Sequence, residues 1–330
     1  MNCLVVGLGS AGQRHLRVLR KYFGNEANVC VYKGDHDRGL ISDDLSFESF
    51  SINPIDYYHA VEVPKIAELL GKTWDLVIIA TPPDSHYFYV ELLIKSSLRI
   101  LIEKPLTIKP DEAVKITNLA KKTNIPILVG YQLTYHPINA FIQENINSVG
   151  YIESCTTVFK EDLLLMNPFR SMENHYLSKP TGGGAFLSLS HDLDFMLRIF
   201  DQTFAQNVVF FGTKYSNNKS LVECTLNCNI QFQSHTINLI GEYSLLTNPT
   251  CRTGKIKGTK GSIDWDFVKG EIALTFDNQQ MEKKLGFLAN KDDLFKCQIE
   301  NILSLNNYNE YCQVNLGRAR FIVEANTKIT

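Results

Sequence analysis

The chain has 330 residues, with 33 basic and 35 acidic side chains and a formal net charge of -2. This near balance argues against a nucleic-acid-binding protein that depends on a broad basic surface. No run of about 18 apolar residues is present, and no charged leader precedes the first apolar run, so we expect a cytoplasmic protein with no membrane partner. The length is typical of two domains, each able to bury its own core.

The first element is an apolar run, a glycine-rich turn and a helix, which together span Cys3 to Phe23. The turn follows the pattern G-x-G-x-x-G, and the helix carries apolar residues three and four positions apart. In such a turn the first glycine permits a tight bend, the second lets backbone approach a pyrophosphate, and the third lets the helix pack close to the sheet. A glycine turn without a ligand is the alternative. The pattern predicts a dinucleotide site at the helix N-terminus, formed by Gly7, Gly9, Ser10, Ala11 and Gly12.

The rest of the first 130 residues alternates between strand and helix signals. Short apolar runs predict buried strands, and amphipathic segments between them predict helices. This alternation is typical of a doubly wound α/β domain with a parallel sheet. The predicted strands are Asn28–Tyr32, Leu76–Thr81, Ile100–Glu103 and Ile127–Gly130, and the predicted helices are Val63–Leu70, Ser85–Lys95 and Asp111–Lys122. Residues 34–62 form a long irregular segment in which a small hairpin is left open.

After Tyr131 the pattern changes to β-branched and aromatic runs that follow one another without intervening helices. Such runs predict an α+β domain with an open, largely antiparallel sheet over residues 131–330, beside a Rossmann domain over residues 1–130. The predicted strands are Glu153–Phe159, Val208–Tyr215, Leu221–Phe232 and Thr236–Glu242, and the predicted helices are Pro137–Asn147, Gly183–Phe200, Lys291–Leu305 and Val314–Thr327.

The eight cysteines are scattered and contain no Cys-x-x-Cys pair. We predict that they are reduced, mostly buried thiols. Cys224 and Cys228 would share one face of a strand, which leaves a zinc site as the alternative there. The histidines show no metal-ligand spacing, so no metal site is predicted.

The residue that follows the second predicted strand bears on the choice of cofactor. In NAD enzymes an acidic side chain about 20 residues beyond the glycines accepts a hydrogen bond from the ribose 2′-hydroxyl. This chain has Lys33 in that place, and a cation there favours a 2′-phosphate. We therefore predict NADP(H), while Asp35, two residues on, keeps NAD(H) as the alternative.

Four further motifs follow the glycine turn, and the five in this order resemble the Gfo/Idh/MocA oxidoreductases, which are named for glucose-fructose oxidoreductase and inositol dehydrogenase. The resemblance runs by motif from residue 1 to about residue 200, and continues weakly through residues 258–262. The four motifs are Ala80-Thr81-Pro82-Pro83-Asp84-Ser85-His86, Glu103-Lys104-Pro105-Leu106, Gly130-Tyr131-Gln132-Leu133, and Gly182-Gly183-Gly184-Ala185 leading to Ser190-His191-Asp192-Leu193-Asp194.

The resemblance implies an NAD(P)-dependent enzyme that transfers hydride at a hydroxyl or ketone of a sugar, polyol or sugar nucleotide. The variant around His191 resembles family members of surface-glycan sugar synthesis. A homodimer or homotetramer formed through the open sheet of the second domain is also implied. The implied cofactor contacts beyond the glycine turn are Thr81, Pro82, His86, Glu103, Lys104 and Gln132, and the implied substrate contacts are Tyr135, Asp192 and Asp194.

By position in the family motifs, Lys104 and His191 are the predicted catalytic pair. Hydride leaves a carbinol carbon only as the hydroxyl proton is drawn off, so a proton-handling group is needed beside the oxygen. A lysine in a partly desolvated cleft can hydrogen-bond that oxygen and have its pKa lowered toward neutrality, and a histidine titrates near neutrality already. We predict that His191 transfers the proton and that Lys104 orients and polarises the oxygen, although the two roles could be exchanged.

The chain departs from the family pattern at two places. Ser188 and Leu187 occupy positions where many relatives have an aspartate ahead of the histidine, and only Asp194 would share roughly one helix face with His191. Thr134 stands where an arginine is frequent, which argues against assuming an anionic substrate. A surface role for Lys104 and a core role for His191 are the structural alternatives. The functional alternatives are a non-catalytic dinucleotide sensor and a sugar-modifying enzyme that recycles its cofactor without release.

Overall fold

The computed structural model describes residues 1–34, 39–42, 47–49, 51–166, 184–214, 221–232, 234–276, 279–284 and 290–328. The chain divides into two compact units, residues 1–130 with 291–320 and residues 131–290 with 321–330. The sequence predicts domains of residues 1–130 and 131–330, and the structure differs in that residues 291–320 belong to the first unit. Asp35, Gly182 and Gly183, which the sequence analysis singles out, lie outside the described residues.

The strands fall into two large sheets and one hairpin. In the first unit they are β1 (Asn2–Val6), β2 (Asn28–Tyr32), β3 (Leu40–Ile41), β4 (Phe47–Ser49), β5 (Val61–Glu62), β6 (Leu76–Ile79), β7 (Ile100–Ile102) and β8 (Ile127–Val129). In the second unit they are β9 (Ile152–Asp162), β10 (Gln206–Lys214), β11 (Leu221–Phe232), β12 (His235–Ser244), β13 (Leu246–Gly258), β14 (Gly261–Asp266), β15 (Glu271–Phe276) and β16 (Gln279–Lys284).

The α-helices, in chain order, are α1 (Ser10–Phe23), α2 (Pro54–Tyr57), α3 (His86–Leu93), α4 (Pro110–Thr123), α5 (Pro137–Asn145), α6 (Leu163–Met166), α7 (Gly184–Ser188), α8 (His191–Ile199), α9 (Lys291–Ser304) and α10 (Glu310–Asn326). Short 3-10 helices lie at Gly24–Glu26, Ile66–Leu69, Pro83–Ser85, Ile94–Ser96, Gln132–Tyr135 and Ile146–Val149. Within the described residues, no helix is both long enough and apolar enough to cross a membrane.

The first unit is built on a parallel sheet in the order β5-β2-β1-β6-β7-β8. Its central strands are buried almost throughout, which explains why they read as continuous apolar runs rather than alternating ones. The predicted Rossmann sheet is confirmed. The short antiparallel pair β3 and β4 lies in the long segment where the sequence left a hairpin open.

Helix α9 packs on the first unit although it comes late in the chain. Its Phe295, Ile299 and Ile302 belong to the same buried cluster as Leu16 and Leu19 of α1. At the edge of this contact, Arg17 donates two hydrogen bonds of 2.8 and 3.0 Å to the buried carboxylate of Asp292. Apolar burial and a bidentate ion pair therefore hold residues from the end of the chain against the first helix.

The second unit is built on an eight-stranded sheet in the order β10-β11-β12-β9-β13-β14-β15-β16. Neighbouring strands are antiparallel except β12 and β9, which are parallel, so the predicted largely antiparallel sheet is confirmed. Helices α7 and α8 cover one face, where Phe186 packs edge to face on Phe210. The other face carries cross-strand polar contacts, among them Lys160–Glu242 and Lys255–Asp264.

Three elements differ from their predictions. The predicted helix over Val63–Leu70 is only the 3-10 segment Ile66–Leu69. The predicted helix over Gly183–Phe200 is two helices, α7 and α8, separated at Leu189 and Ser190, where the Ser190 hydroxyl donates to the Leu187 carbonyl at 2.8 Å. Such a local side-chain bond competes with helix continuation. Strands β13 to β16 are absent from the sequence prediction, and polar residues fill much of β13 and β16.

Candidate functional site

The glycine turn between β1 and α1 is packed too closely for side chains at two of its three glycines. Gly7 has φ +99°, and a Cβ there would lie 2.6 Å from the Ala80 carbonyl oxygen. A Cβ at Gly12 would lie 2.1 Å from the Gly7 carbonyl oxygen. The Gly7 amide donates to the Tyr32 carbonyl at 2.8 Å, which places the turn beside the end of β2. The first and third glycines thus have the tight-turn and close-packing roles that the sequence predicts.

The middle glycine borders open space. Gly9 is the N-cap of α1, and a Cβ built on it would meet no protein atom within 4 Å. No side chain of the described residues caps this end of the helix, and its first turn carries no acidic residue. Ser10 is exposed and Ala11 is partly exposed. The start of a 14-residue helix therefore offers backbone N–H groups and a positive dipole end, which fit the phosphates of a dinucleotide.

Alanine substitutions at two glycines separate packing from ligand approach. We expect Gly12→Ala to destabilise the protein by about 1–3 kcal/mol, because its Cβ would overlap the Gly7 carbonyl. We expect Gly9→Ala to change stability by less than about 0.5 kcal/mol, since its φ of -73° suits alanine and its Cβ meets no protein atom. Gly9→Ala should still weaken NADPH or NADH binding at least about tenfold. Urea unfolding and fluorescence titration measure the two effects, and unchanged affinity in Gly9→Ala would contradict the phosphate assignment.

A fully buried histidine contacts the backbone of the loop after β6 through its ring nitrogens. His86 Nε2 lies 2.9 Å from the Thr81 carbonyl, and Nδ1 lies 3.1 Å from both the Pro105 and Leu106 carbonyls. Burial lowers the pKa of His86, against the opposing effect of these backbone hydrogen bonds. His86 therefore fixes the two loops that carry the predicted cofactor residues. Of those residues, Thr81 is partly exposed and Pro82 is exposed.

The Glu-Lys-Pro motif follows β7 in the same unit. Glu103 is buried, and its Oε1 lies 2.7 Å from His15 Nε2 on α1. Lys104 is partly exposed, and its peptide bond to Pro105 is cis. Burial raises the pKa of Glu103, but the His15 hydrogen bond and the charges of His15, Lys104 and His86 outweigh it, so the net pKa is lowered. Glu103 is thus an interior carboxylate held by His15, and the partly exposed Lys104 follows it in the chain.

The predicted phosphate-selecting residue is engaged in an ion pair. Lys33 Nζ lies 3.6 Å from Glu62 Oε1, and Glu62 sits at the end of β5, where it pairs in register with Val31 of β2. The sequence prediction places a lone cation here because Glu62 is remote along the chain. Sheet pairing between β2 and β5 brings the two side chains together, so a 2′-phosphate bound at Lys33 would meet a carboxylate as well.

In the second unit, His191 is the first residue of α8 and is 6% exposed. Its ring lies edge-on to the Tyr131 ring, with centroids 5.8 Å apart. The neighbouring Asp192 is 1% exposed and accepts hydrogen bonds of 3.0 and 2.7 Å at Oδ2 from Arg252 Nε and Nη2. Asp194 is also buried. Burial and pairing favour a positioning role for Asp192 over the predicted substrate contact.

The side chain of Arg252, on β13, packs against two aromatic rings. Its guanidinium carbon is 4.0 Å from the Phe159 ring centroid and 5.3 Å from that of Phe267. The His136 ring packs edge-on against Phe267, and His136 Nδ1 accepts from the Ile138 amide at 3.2 Å at the start of α5. Burial and then the charge of Arg252 lower the pKa of His136 to about 4. His136 is therefore a neutral helix cap at physiological pH.

The remaining predicted residues lie in the 3-10 segment Gln132–Tyr135 of the second unit. Gln132 and Tyr135 are partly exposed, and Gln132 Oε1 is a buried atom with no hydrogen-bond partner among the described residues. Such an acceptor suits a ligand or water donor. Cys224 and Cys228 are buried, and burial raises the pKa of each to about 12, so both are protonated thiols at physiological pH. No metal-binding cluster occurs in the part of the chain that the structure describes.

The sequence analysis missed His15, Glu62 and Arg252 as residues of these sites. His15 lies three residues beyond the last glycine of the turn, a local signal that could have drawn attention to it. Arg252 is 60 residues from its partner Asp192, and Glu103 is 88 residues from His15. No local pattern predicts pairs at such separations.

Comparison with known proteins relates the first part of the chain to a described family. Residues 1–131 match the Gfo/Idh/MocA sequence family, described as an oxidoreductase family with an NAD-binding Rossmann fold. The chain is 28% identical over 151 residues to scyllo-inositol 2-dehydrogenase (NAD(+)) of Bacillus subtilis, a match that covers 45% of this chain and 40% of that protein. Matches to the curated relatives span about half of their length. The match to the Gfo/Idh/MocA oxidoreductases therefore covers the Rossmann domain of the first unit.

Solved structures extend the likeness in fold to the whole chain. UDP-N-acetylglucosamine 3-dehydrogenase GnnA from Acidithiobacillus ferrooxidans has a TM-score of 0.75 at 16% identity, with 100% of this chain and 96% of that chain covered. KijD10, a 3-ketoreductase from Actinomadura kijaniata in complex with NADP and TDP-benzene, has a TM-score of 0.77 at 15% identity, with 98% and 95% covered. At these identities the likeness shows the fold alone.

Proposed function

We propose that this protein is an NAD(P)-dependent oxidoreductase that transfers hydride between nicotinamide and a hydroxyl or ketone carbon of a sugar, polyol or sugar nucleotide. The observation that carries the proposal is the open N-terminus of α1 at Gly9, between two glycines that cannot bear side chains. The match of residues 1–131 to the Gfo/Idh/MocA family and the Glu103-Lys104-Pro105 motif support it further. A bound nicotinamide would supply or accept the hydride.

The chain's own part in the reaction is to bind, to orient and to move a proton. His191 is proposed to take the hydroxyl proton on a ring nitrogen during oxidation and to return it during reduction. Lys104 is proposed to donate a hydrogen bond from Nζ to the reacting oxygen, which stabilises negative charge as it develops there. The Asp192–Arg252 pair is proposed to hold the start of α8, and with it His191, in place.

The substrate class is proposed from the relatives. One is named as acting on inositol, another on a UDP-linked amino sugar, and the KijD10 structure holds a TDP derivative. These names support a polyol, sugar or sugar nucleotide. A place in surface-glycan sugar synthesis is proposed from the resemblance of the motif around His191 alone. Thr134, in a position where relatives often carry arginine, makes a neutral sugar moiety the preferred reacting group.

A panel of sugars, polyols and sugar nucleotides, each incubated with oxidised and reduced NAD and NADP, tests the proposal. We expect a change in nicotinamide absorbance with at least one pair. Tight dinucleotide binding without turnover of any compound would overturn the proposed function in favour of a dinucleotide sensor. Cofactor that copurifies with the protein, and sugar conversion without net consumption of added cofactor, would instead identify an enzyme that recycles its cofactor.

For the cofactor, we propose NADP(H), with NAD(H) as the alternative. Lys33 at the end of β2 supports NADP(H), because a cation attracts a 2′-phosphate. Glu62, 3.6 Å from Lys33, opposes it, because a carboxylate repels the phosphate and can accept from a ribose hydroxyl. The pair is proposed to set the preference between the two cofactors.

Substitution of Glu62 and substitution of Lys33 should move the preference between NADPH and NADH in opposite directions. We expect Glu62→Gln to lower the ratio of KM for NADPH to KM for NADH by about fivefold, since an exposed charge contact contributes up to ~1 kcal/mol. Lys33→Met should raise the same ratio. Lys115→Met, which removes a surface lysine paired with Asp111 on α4, is the control and should leave the ratio unchanged. An unchanged ratio in both Glu62→Gln and Lys33→Met would contradict the assignment.

A further inference from the structure

The side-chain amide of Gln13 joins the glycine turn to residues 39–41, which come after β2 in the chain. Gln13 follows the third glycine of the turn, lies on α1 and is 1% exposed. Its Nε2 donates to the Leu8 carbonyl at 3.2 Å and to the Gly39 carbonyl at 2.9 Å, and its Oε1 accepts from the Ile41 amide at 2.9 Å. One buried side chain therefore satisfies three backbone groups that belong to two separate segments.

The hairpin that contains these residues is separate from the large parallel sheet. Within the described residues, β3 is two residues long and pairs with β4 in a two-stranded sheet of their own. An isolated two-stranded hairpin is only marginally stable in water, so it needs contacts with the rest of the unit. The Leu40 side chain supplies one such contact, since it is 1% exposed and belongs to the same buried cluster as Leu8 and Leu16. Core packing thus holds the Leu40 side chain, and Gln13 fixes the backbone on either side of it.

The position of residues 39–41 relates them to one half of a bound dinucleotide. The Leu8 and Gly39 carbonyls accept from the same nitrogen, so residues 39–41 lie beside the residue that precedes the middle glycine, where the turn borders open space. The first glycine of the turn donates to the Tyr32 carbonyl at 2.8 Å, so the end of β2 lies at the same turn. In a Rossmann domain the adenosine ribose binds at the end of this strand, and the pyrophosphate binds at the helix N-terminus. Residues 39–41 are therefore on the adenosine side of the site.

We infer that Gln13 is a positioning residue of the cofactor site, which holds residues 39–41 beside the ADP portion of the dinucleotide while remaining buried itself. A site that is ordered before the ligand arrives loses less conformational entropy on binding, so its affinity is higher. The inference rests on the dinucleotide binding in the proposed function, but on neither the hydride transfer nor the sugar substrate. Because NAD and NADP share the ADP portion, the effect of Gln13 applies to both cofactors.

The affinity for ADP-ribose, which lacks the nicotinamide, tests this role by isothermal titration calorimetry. We expect Gln13→Met, which keeps the length of the side chain but removes its three hydrogen bonds, to lower the affinity about tenfold. The loss should arise because residues 39–41 are no longer fixed before ADP-ribose binds.

Asn315→Leu is the matched control, because Asn315 of α10 is also a buried amide that joins backbone groups. It accepts from the Val129 amide at 2.8 Å and donates to the Val129 carbonyl at 3.3 Å. Val129 ends β8, which is three strands away from β1 in the parallel sheet. Both Gln13→Met and Asn315→Leu should lower the midpoint of urea unfolding, but Asn315→Leu should bind ADP-ribose within about twofold of wild type.

Hydrogen exchange in the wild-type protein tests the inference without any substitution. The Ile41 amide donates to the Gln13 side chain and the Val129 amide donates to that of Asn315, so the two amides form a matched pair. We expect ADP-ribose to slow exchange at Ile41 at least about fivefold more than at Val129, because the bound ligand restricts local opening of residues 39–41. Two-dimensional NMR spectra recorded after transfer to D2O resolve the two amides.

Three results would overturn the inference: wild-type affinity for ADP-ribose in Gln13→Met, an equal loss of affinity in Asn315→Leu, or equal slowing of exchange at Ile41 and Val129. The exchange measurement decides the matter if Gln13→Met does not fold. A wild-type protein that does not bind ADP-ribose would overturn the inference and the proposed function together. Failure of the sugar panel with the ADP-ribose results as expected would reject the proposed hydride transfer alone.

Discussion

Replacing His191 by asparagine is expected to lower kcat by about 10²- to 10⁴-fold, the range for loss of a general acid–base group. Asparagine keeps a polar side chain at the start of α8 but cannot exchange a proton. The dissociation constant for the dinucleotide should stay within about twofold of wild type, because the proposed role concerns the substrate oxygen. Steady-state rates with the best substrate of the panel and fluorescence titration with NADPH measure the two quantities.

Lys104→Met is the companion variant, and it should also lose kcat by at least about 10²-fold while the protein remains folded. His235→Asn provides a matched control, since His235 lies on β12 and contacts the Ile152 carbonyl at 3.0 Å. If His191→Asn kept the wild-type kcat, the proposed role of His191 would be wrong and another group would have to transfer the proton. Because both residues are proposed to act on the reacting oxygen, the double variant should lose less than the product of the two single losses.

Arg252→Met is expected to destabilise the protein by about 3–5 kcal/mol, the usual cost of removing one partner from a buried ion pair. The Arg252 side chain is 17% exposed, but Asp192 is 1% exposed and would keep a charge without its bidentate partner. The loss of guanidinium packing on the Phe159 ring adds to the effect. Urea unfolding followed by circular dichroism measures the change.

The double variant Asp192→Asn/Arg252→Met separates charge from packing. Since it leaves no uncompensated carboxylate, it should be more stable than Arg252→Met alone. Equal stability of the two would mean that Arg252 acts through packing only. If Asp192 positions His191, Asp192→Asn should also lower kcat more than it raises KM, whereas a lost substrate contact would appear mainly in KM.

The sequence predicts the fold of the first unit well because its strands are buried on both faces. The runs in β1, β6, β7 and β8 are apolar throughout, so local composition carries the whole signal. In the second unit β13 is half-exposed, contains Asn248-Pro249 and has two register shifts against β9, which removes any regular alternation. Strands of that kind depend on their neighbours rather than on their own sequence.

The features of the candidate site also divide into those that local sequence predicts and those that depend on distant segments. The glycine turn is a local structure, and its packing against Ala80 follows from glycines whose spacing is visible in the sequence. The pairs Lys33–Glu62, His15–Glu103 and Asp192–Arg252 arise from sheet pairing and helix packing between distant segments. These pairs change how the predicted residues are interpreted, because they place a carboxylate beside Lys33, a histidine on Glu103 and an arginine on Asp192.

The return of residues 291–320 to the first unit has a consequence for how the protein is made. Leu16 and Leu19 share one buried cluster with Phe295, Ile299 and Cys312, so the core begun by the first helix lacks part of its packing until α9 and α10 have been synthesised. The nascent chain must carry an incompletely covered apolar surface while the whole second unit is translated. The first unit is therefore the first to emerge, but its core is completed only after the second unit has been translated. A fragment that ends at residue 130 would retain that uncovered surface.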